Sequence, residues 1–219
     1  YRIAIYYESL NNYGESIIYY ERASNLYKEL GEIDKVAKIQ NLIGDNYYFL
    51  NKEEKAIEYY FKSLTIYKST NNQEGVAFNF IDIGNLYYEH GNYDFAKRYF
   101  EDALTIYIEL NDKSGIAVCY TNIGNVISDL GMNLEGIDYF FRSIEIEEQL
   151  EDFEGIGANY NNIGDCYLNV EQFSNAESYL MKALKIAERI DDEDLMAIVY
   201  LNLSNLKNKV HKYHEVINY

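Results

Sequence analysis

Apolar and small residues recur along this chain at helical spacing, in blocks that repeat. Between Glu74 and Glu89 the positions Val76, Ala77, Phe80, Ile83, Gly84 and Tyr87 follow the i, i+3, i+4, i+7 rule of a helix with one buried face. A short break follows, His90-Gly91-Asn92. From Tyr93 to Leu110 a second stripe holds Ala96, Tyr99, Phe100, Ala103, Leu104, Ile106 and Tyr107. The spacing predicts an antiparallel pair, helix A and helix B. Polar connectors separate one pair from the next: Asn71-Asn72-Gln73, Asn111-Asp112-Lys113, Glu151-Asp152 and Asp191-Asp192. Acids there favour the positive end of the following helix A.

The pair is one copy of a repeat. Asn41-Leu42-Ile43-Gly44-Asp45 returns as Ile81-Asp82-Ile83-Gly84-Asn85, Thr121-Asn122-Ile123-Gly124-Asn125 and Asn161-Asn162-Ile163-Gly164-Asp165, then as Leu201-Asn202-Leu203-Ser204-Asn205. Ala4 opens the same register, so the period is 40 residues. Fifteen residues past each small position stands Tyr19, Tyr59, Tyr99, Tyr139, Tyr179 or Tyr219. Ser16, Ala56, Ala96, Gly136 and Ala176 mark another small site, and Ala23, Ser63, Ala103, Ser143 and Ala183 a third. Glycine inside a helix costs about 1 kcal/mol relative to alanine. Four glycines in one register therefore imply a close helix–helix contact that offsets the cost. A single pair cannot bury its apolar face, and stacked neighbours can, which predicts a solenoid with a continuous core. The tyrosine series is expected to pack between repeats rather than to form a ligand ladder.

Composition narrows the field. The 219 residues include no proline, no tryptophan and 25 tyrosines, which suits stacked helices. The formal net charge of −17 argues against nucleic acid and anionic membrane surfaces as partners. No apolar run reaches the roughly 20 residues of a membrane span. Two cysteines, Cys119 and Cys166, build no disulfide framework and are expected to be buried. His90, His211 and His214 have no converging third ligand, so no metal is expected. No cofactor motif or catalytic constellation stands out, and the chain is read as non-enzymatic. The acids Glu145, Glu147, Glu148, Glu151, Asp152 and Glu154 are read as a solvated face, and Asp191-Asp192-Glu193-Asp194 as a helix start.

Phe80, Ile83-Gly84, Tyr87, Ala96, Phe100 and Ala103 resemble the motif of the tetratricopeptide repeat, and Tyr160, Ile163-Gly164, Tyr167, Ala176, Leu180 and Ala183 match it again. The fourth copy departs from it with Ile127, and the usual closing proline is absent throughout. The 40-residue unit is similar to that of Pins/LGN-type adaptors, Rap-type peptide receptors and the repeat regions of bacterial sensor kinases and regulators. The resemblance implies an all-α, right-handed superhelical solenoid of about six units, near 1–32, 33–72, 73–112, 113–152, 153–192 and 193–219. The first and last are incomplete, the last stopping early in its helix B. With no initiating Met, the chain is expected to be a piece of a longer protein.

In such solenoids helix A lines a concave groove, and the residue after the small position faces it. Here that residue is Asp45, Asn85, Asn125, Asp165 and Asn205 in turn. Asn offers two donors and an acceptor, matching a peptide unit. Neighbouring positions add Asn41, Ile81, Thr121 and Asn161, then Tyr48, Phe49, Phe78, Tyr88, Glu89 and Asp129. The implied function is a protein-interaction module that holds an extended peptide of a partner, within a signalling or regulatory protein. An apolar anchor would lie near the second and third repeats, and a basic residue near Glu89, Asp129 and Asp165. The same Asn ladder also fits a purely structural role. A peptide-gated receptor and a spacer or self-association segment are the alternatives. Richness in Asn, Ile, Lys and Tyr suggests a bacterial source. Cytoplasm is the expected compartment, although a periplasmic sensor region would have the same composition.

Overall fold

The computed structural model describes the backbone of residues 1–217 and the side chains of residues 1–211. Tyr219 and the side chains of His214 and Val216 lie outside the described residues. Two compact units divide the chain, Tyr1–Leu110 and the part that begins at Asn111. The first holds α1 (Arg2–Ser9), α2 (Tyr13–Glu29), α3 (Ile33–Phe49), α4 (Glu53–Ser69), α5 (Gln73–Glu89) and α6 (Tyr93–Leu110). The second holds α7 (Lys113–Asp129), α8 (Asn133–Leu150), α9 (Phe153–Asn169), α10 (Phe173–Ile190) and α11 (Glu193–Ile217). This is an all-α helical-repeat solenoid, with the odd-numbered helices in the helix A role.

Every helix break is built the same way. Asn11, Gly31, Asn51, Asn71, Gly91, Asn111, Gly131, Glu151, Glu171 and Asp191 are left-handed, φ 55–85°, one every 20 residues. After α3, for example, the N–H of Asn51 reaches the carbonyl of Tyr48, and that of Lys52 reaches Tyr47. That pair of bonds is a Schellman closure, which satisfies two orphan carbonyls at the helix end. The connector residues then start the next helix A. Asn72, Asp112, Asp152 and Asp192 accept the N–H three residues on, at 2.9–3.1 Å.

The sixth pair departs from expectation. It should break before Tyr219, yet α11 runs unbroken for 25 residues, through position 211. His211 stands where each earlier turn has a left-handed residue, yet the helix continues through it.

The glycine register has the expected cause. A Cβ on Gly44, Gly84, Gly124 or Gly164 would lie 2.6, 2.5, 2.7 or 2.7 Å from Tyr60, Phe100, Phe140 or Leu180 respectively. Helix B thus plants a large buried side chain directly on the helix A backbone. Around these contacts lie apolar cores: Ile17, Tyr20, Ile39, Ile43 and then Leu64, Val76, Ile83 in the first unit. Ile137, Phe140, Ile156, Ile163 and then Leu180, Leu184, Val199 follow in the second. The tyrosine series is packing, but its main ring partners lie on helix A of the same repeat and not between repeats. Tyr19, Tyr99 and Tyr179 stack on Tyr7, Tyr87 and Tyr167, and Tyr59 lies tilted on Tyr47, at centroid distances of 5.3–5.6 Å. Tyr59 also reaches Glu21 of the preceding helix B with its hydroxyl.

Candidate functional site

In the first unit, α1, α3 and α5 bring acidic and aromatic side chains to one cleft of about 280 Å³. Glu8 comes from α1; Asp45, Tyr48 and Phe49 from α3; Asp82, Asn85, Leu86 and Glu89 from α5; Tyr60 of α4 closes the floor. Each carboxylate is held. Tyr20 and Asn46 donate to Glu8 at 2.9 and 2.8 Å, and Tyr60 donates to Asp45 at 2.7 Å. Asn41 donates to Asp82 at 2.7 Å, and Tyr48 to Glu89. The lining contains four carboxylates and no lysine or arginine.

The electrostatics follow from crowding. Burial pushes Asp45 up to about 6, with the Tyr60 hydroxyl opposing and Glu8 adding to the rise. Burial and the neighbouring Asp45 push Asp82 up to about 7, against the Asn41 hydrogen bond. Acceptance of its proton by Glu89, with burial, pushes Tyr48 up to about 12. Uncompensated negative charge beside aromatic faces is a chemistry that attracts an ammonium or guanidinium group.

The second unit places a buried polar network between its helices. Asn159 of α9 donates to both oxygens of Glu147 at 2.9 and 3.0 Å, and Ser143 donates to that carboxylate at 2.9 Å. Thr121 donates to Asn159 at 3.1 Å. Glu147 is 5% exposed, and burial raises its pKa. This corrects the solvated-face reading for Glu147 alone; Glu145, Glu148, Glu151, Asp152 and Glu154 are exposed. Glu147 occupies the repeat position of Tyr27, Tyr67 and Tyr107, a core site, and Gly155 leaves room for its carboxylate. Nearer the surface, Asn162 donates to Asn125, and Asn169 to Asp165. Burial raises the Asp165 pKa, and Lys209 partly offsets this.

The predicted groove residues separate into two groups. Asp45, Tyr48, Phe49, Asn85 and Glu89 meet in the first-unit cleft. Phe78 is 52% exposed outside its lining, and Tyr88 lies against Tyr93. Asn205 and Asp129 are exposed, and Thr121 belongs to the buried network. Asn41, Ile81 and Asn161 are corrected: they are 3, 9 and 7% exposed, buried instead of lining a groove. Asn41 donates across to Asp82, and Asn161 accepts from Asn202, 41 residues on. Sequence reasoning missed Glu8, Tyr60 and Asp82. Glu8 could have been found, since it shares its register with Tyr48 and Tyr88.

Models of the tetratricopeptide repeat match residues 1–69, 81–114 and 158–189, together more than half of the sequence, and the chain belongs to that family. Comparison with curated proteins gives no match. Among solved structures, aspartyl phosphate phosphatase F from Bacillus subtilis is similar over 97% of this chain and 56% of its own, at 15% identity and a TM-score of 0.85. The Rap conjugation gene regulator of plasmid pLS20, solved in complex with a Phr peptide, is similar over 90% of this chain and 54% of its own, at 23% identity and a TM-score of 0.71. BtubC from P. vanneervenii is similar over 94% of this chain and 92% of its own, at 15% identity and a TM-score of 0.74. The chain thus spans about half the length of the first two. At these identities the likeness is one of fold.

Proposed function

We propose that this segment is a protein-interaction module that holds an extended peptide of a partner on its helix A face, with the first-unit cleft receiving one basic side chain. The observation that carries the reading is that cleft: Glu8, Asp45, Asp82 and Glu89 converge beside Tyr48 and Phe49, in a chain of net charge −17. A guanidinium there gains hydrogen bonds to carboxylates in a partly desolvated site and an aromatic face beside it. Exposed Asn85 at the rim can serve the peptide backbone. Two similar structures support the choice of ligand, since one holds a Phr peptide and the other, a Rap protein, is complexed with competence and sporulation factor. That likeness favours a peptide-gated role within a larger regulatory protein over a passive spacer.

Phage display of random linear peptides on the purified chain tests the reading. Selection is expected to enrich Lys or Arg at one position. The selected peptide, labelled and followed by anisotropy, should bind the Asp45→Asn/Asp82→Asn variant at least about tenfold more weakly, a change of about 1.4 kcal/mol. Asn85→Ala should give a smaller loss, about 0.5–1.5 kcal/mol. Selection without basic residues, or equal binding by the double variant, refutes it.

A further inference from the structure

A second hollow in the first unit lies away from the acidic cleft. It is a groove of about 730 Å³ between α2, α3 and α4, walled by Ile33 and Phe61, floored by Ser24 and Gln40, and flanked by Lys28 and Lys62. The repeat register explains why it is open. The position of Gln40 holds Phe80, Tyr120, Tyr160 and Tyr200 in the later repeats, and that of Ser24 holds Leu64, Leu104, Ile144 and Leu184. At this one repeat junction both bulky residues are replaced by polar ones. The two replacements are bonded to each other, Gln40 Nε2 donating to Ser24 Oγ at 3.1 Å.

The cations that go with the missing ring are still in place. Lys68, the equivalent of Lys28, lies 5.4 Å from the centre of the Phe80 ring. Arg142 and Lys182, the equivalents of Lys62, each lie over two rings: Tyr120 and Tyr139 at 5.9 and 5.3 Å, and Tyr160 and Tyr179 at 5.3 and 4.3 Å. Lys62 covers Tyr59 at 4.0 Å, and the position that supplies the second ring elsewhere is Gln40. The groove therefore keeps apolar walls and two lysines suited to an aromatic face, above a floor that can exchange hydrogen bonds.

We infer that this groove is a docking site for an aromatic side chain of a partner protein, a tyrosine, whose ring takes the place left by Gln40 beneath Lys28 and Lys62 and whose hydroxyl bonds to the Gln40–Ser24 floor. The inference is independent of peptide binding at the acidic cleft. The probe is N-acetyltyrosine amide, with N-acetylcyclohexylalanine amide as a comparator of similar bulk without π electrons. Titration into the ¹⁵N-labelled chain should shift the side-chain amide resonances of Gln40 saturably, and the comparator should bind several-fold more weakly. Ser24→Leu/Gln40→Phe restores the residues of the other repeats and fills the groove. That variant should lose the probe by at least about tenfold while its helical circular dichroism is unchanged. If the double variant misfolds, Gln40→Phe alone makes the same test. No saturable shift of Gln40, equal binding of the comparator, or undiminished binding by the filled variant overturns the proposal.

Discussion

Alanine at Gly84 sets two known effects against each other, and the sign of the outcome decides between them. Helix propensity alone favours the substitution by about 1 kcal/mol. The structure opposes it. A methyl at Gly84 would lie 2.5, 2.8 and 3.1 Å from Cε1, Cδ1 and Cζ of Phe100, far inside the roughly 3.5–4.0 Å of a relaxed carbon contact. Phe100 is 1% exposed, so its ring cannot swing into solvent. Overpacking of this kind costs about 1–3 kcal/mol in addition to cancelling the propensity gain. We expect Gly84→Ala to lower stability by about 1–3 kcal/mol. Gly14→Ala in α2 is the control: nothing lies within 4 Å of the place its methyl would take, so it should gain up to about 1 kcal/mol. Urea unfolding followed by far-ultraviolet circular dichroism measures both, and hydrogen exchange in α5 and α6 localises the loss. Gly84→Ala at or above wild-type stability would refute the close-contact explanation of the repeat.

Three further outcomes are expected. Glu171→Gly relieves a left-handed residue at φ 59° and should stabilise by about 0.5–1 kcal/mol, whereas Asn51→Gly should be nearly neutral; thermal unfolding compares them. Asp82 binds its proton more tightly in the fold than an ordinary Asp at 3.8, so its contribution is complete below that value and is lost as pH rises to about 7. Asp82→Asn does not titrate, so its urea midpoint should gain on wild type between pH 4 and pH 8, and a pH-independent difference would contradict this. His90 is raised above its ordinary 6.5 by the Leu86 carbonyl and then by Glu53, whose carboxylate lies 2.6 Å from Nε2. Glu53→Gln should bring its NMR titration midpoint down, and the Glu53 pairing stabilises the fold below that range and fades as pH rises through it.

Much of the architecture is legible in the residues alone because its cause is local and recurs. Gly44, Gly84, Gly124 and Gly164 meet large residues sixteen positions on, so a single contact is written four times. The turns are harder to read. Their left-handed residue is Asn, Gly, Glu or Asp, and only the spacing is constant. The site is less legible still. Asn41 and Asn161 look like groove residues until their partners, Asp82 and Asn202, are seen to come from the next repeat. Glu147 looks solvated because the other five acids of its run are, yet it fills a tyrosine's place in the core. Burial of a polar group depends on its distant partner, and a list of neighbours in sequence does not contain that partner.

The 20-residue beat of left-handed turns restricts which changes in length this chain can absorb. One extra residue inside a helix rotates everything after it by about 100° and moves the glycine off its aromatic partner. Forty added or removed residues restore every turn, cap and glycine contact to its former phase. Lineages of such a chain can therefore lengthen or shorten in steps of 120 nucleotides and still close each helix, while smaller in-frame changes must fall in the connectors.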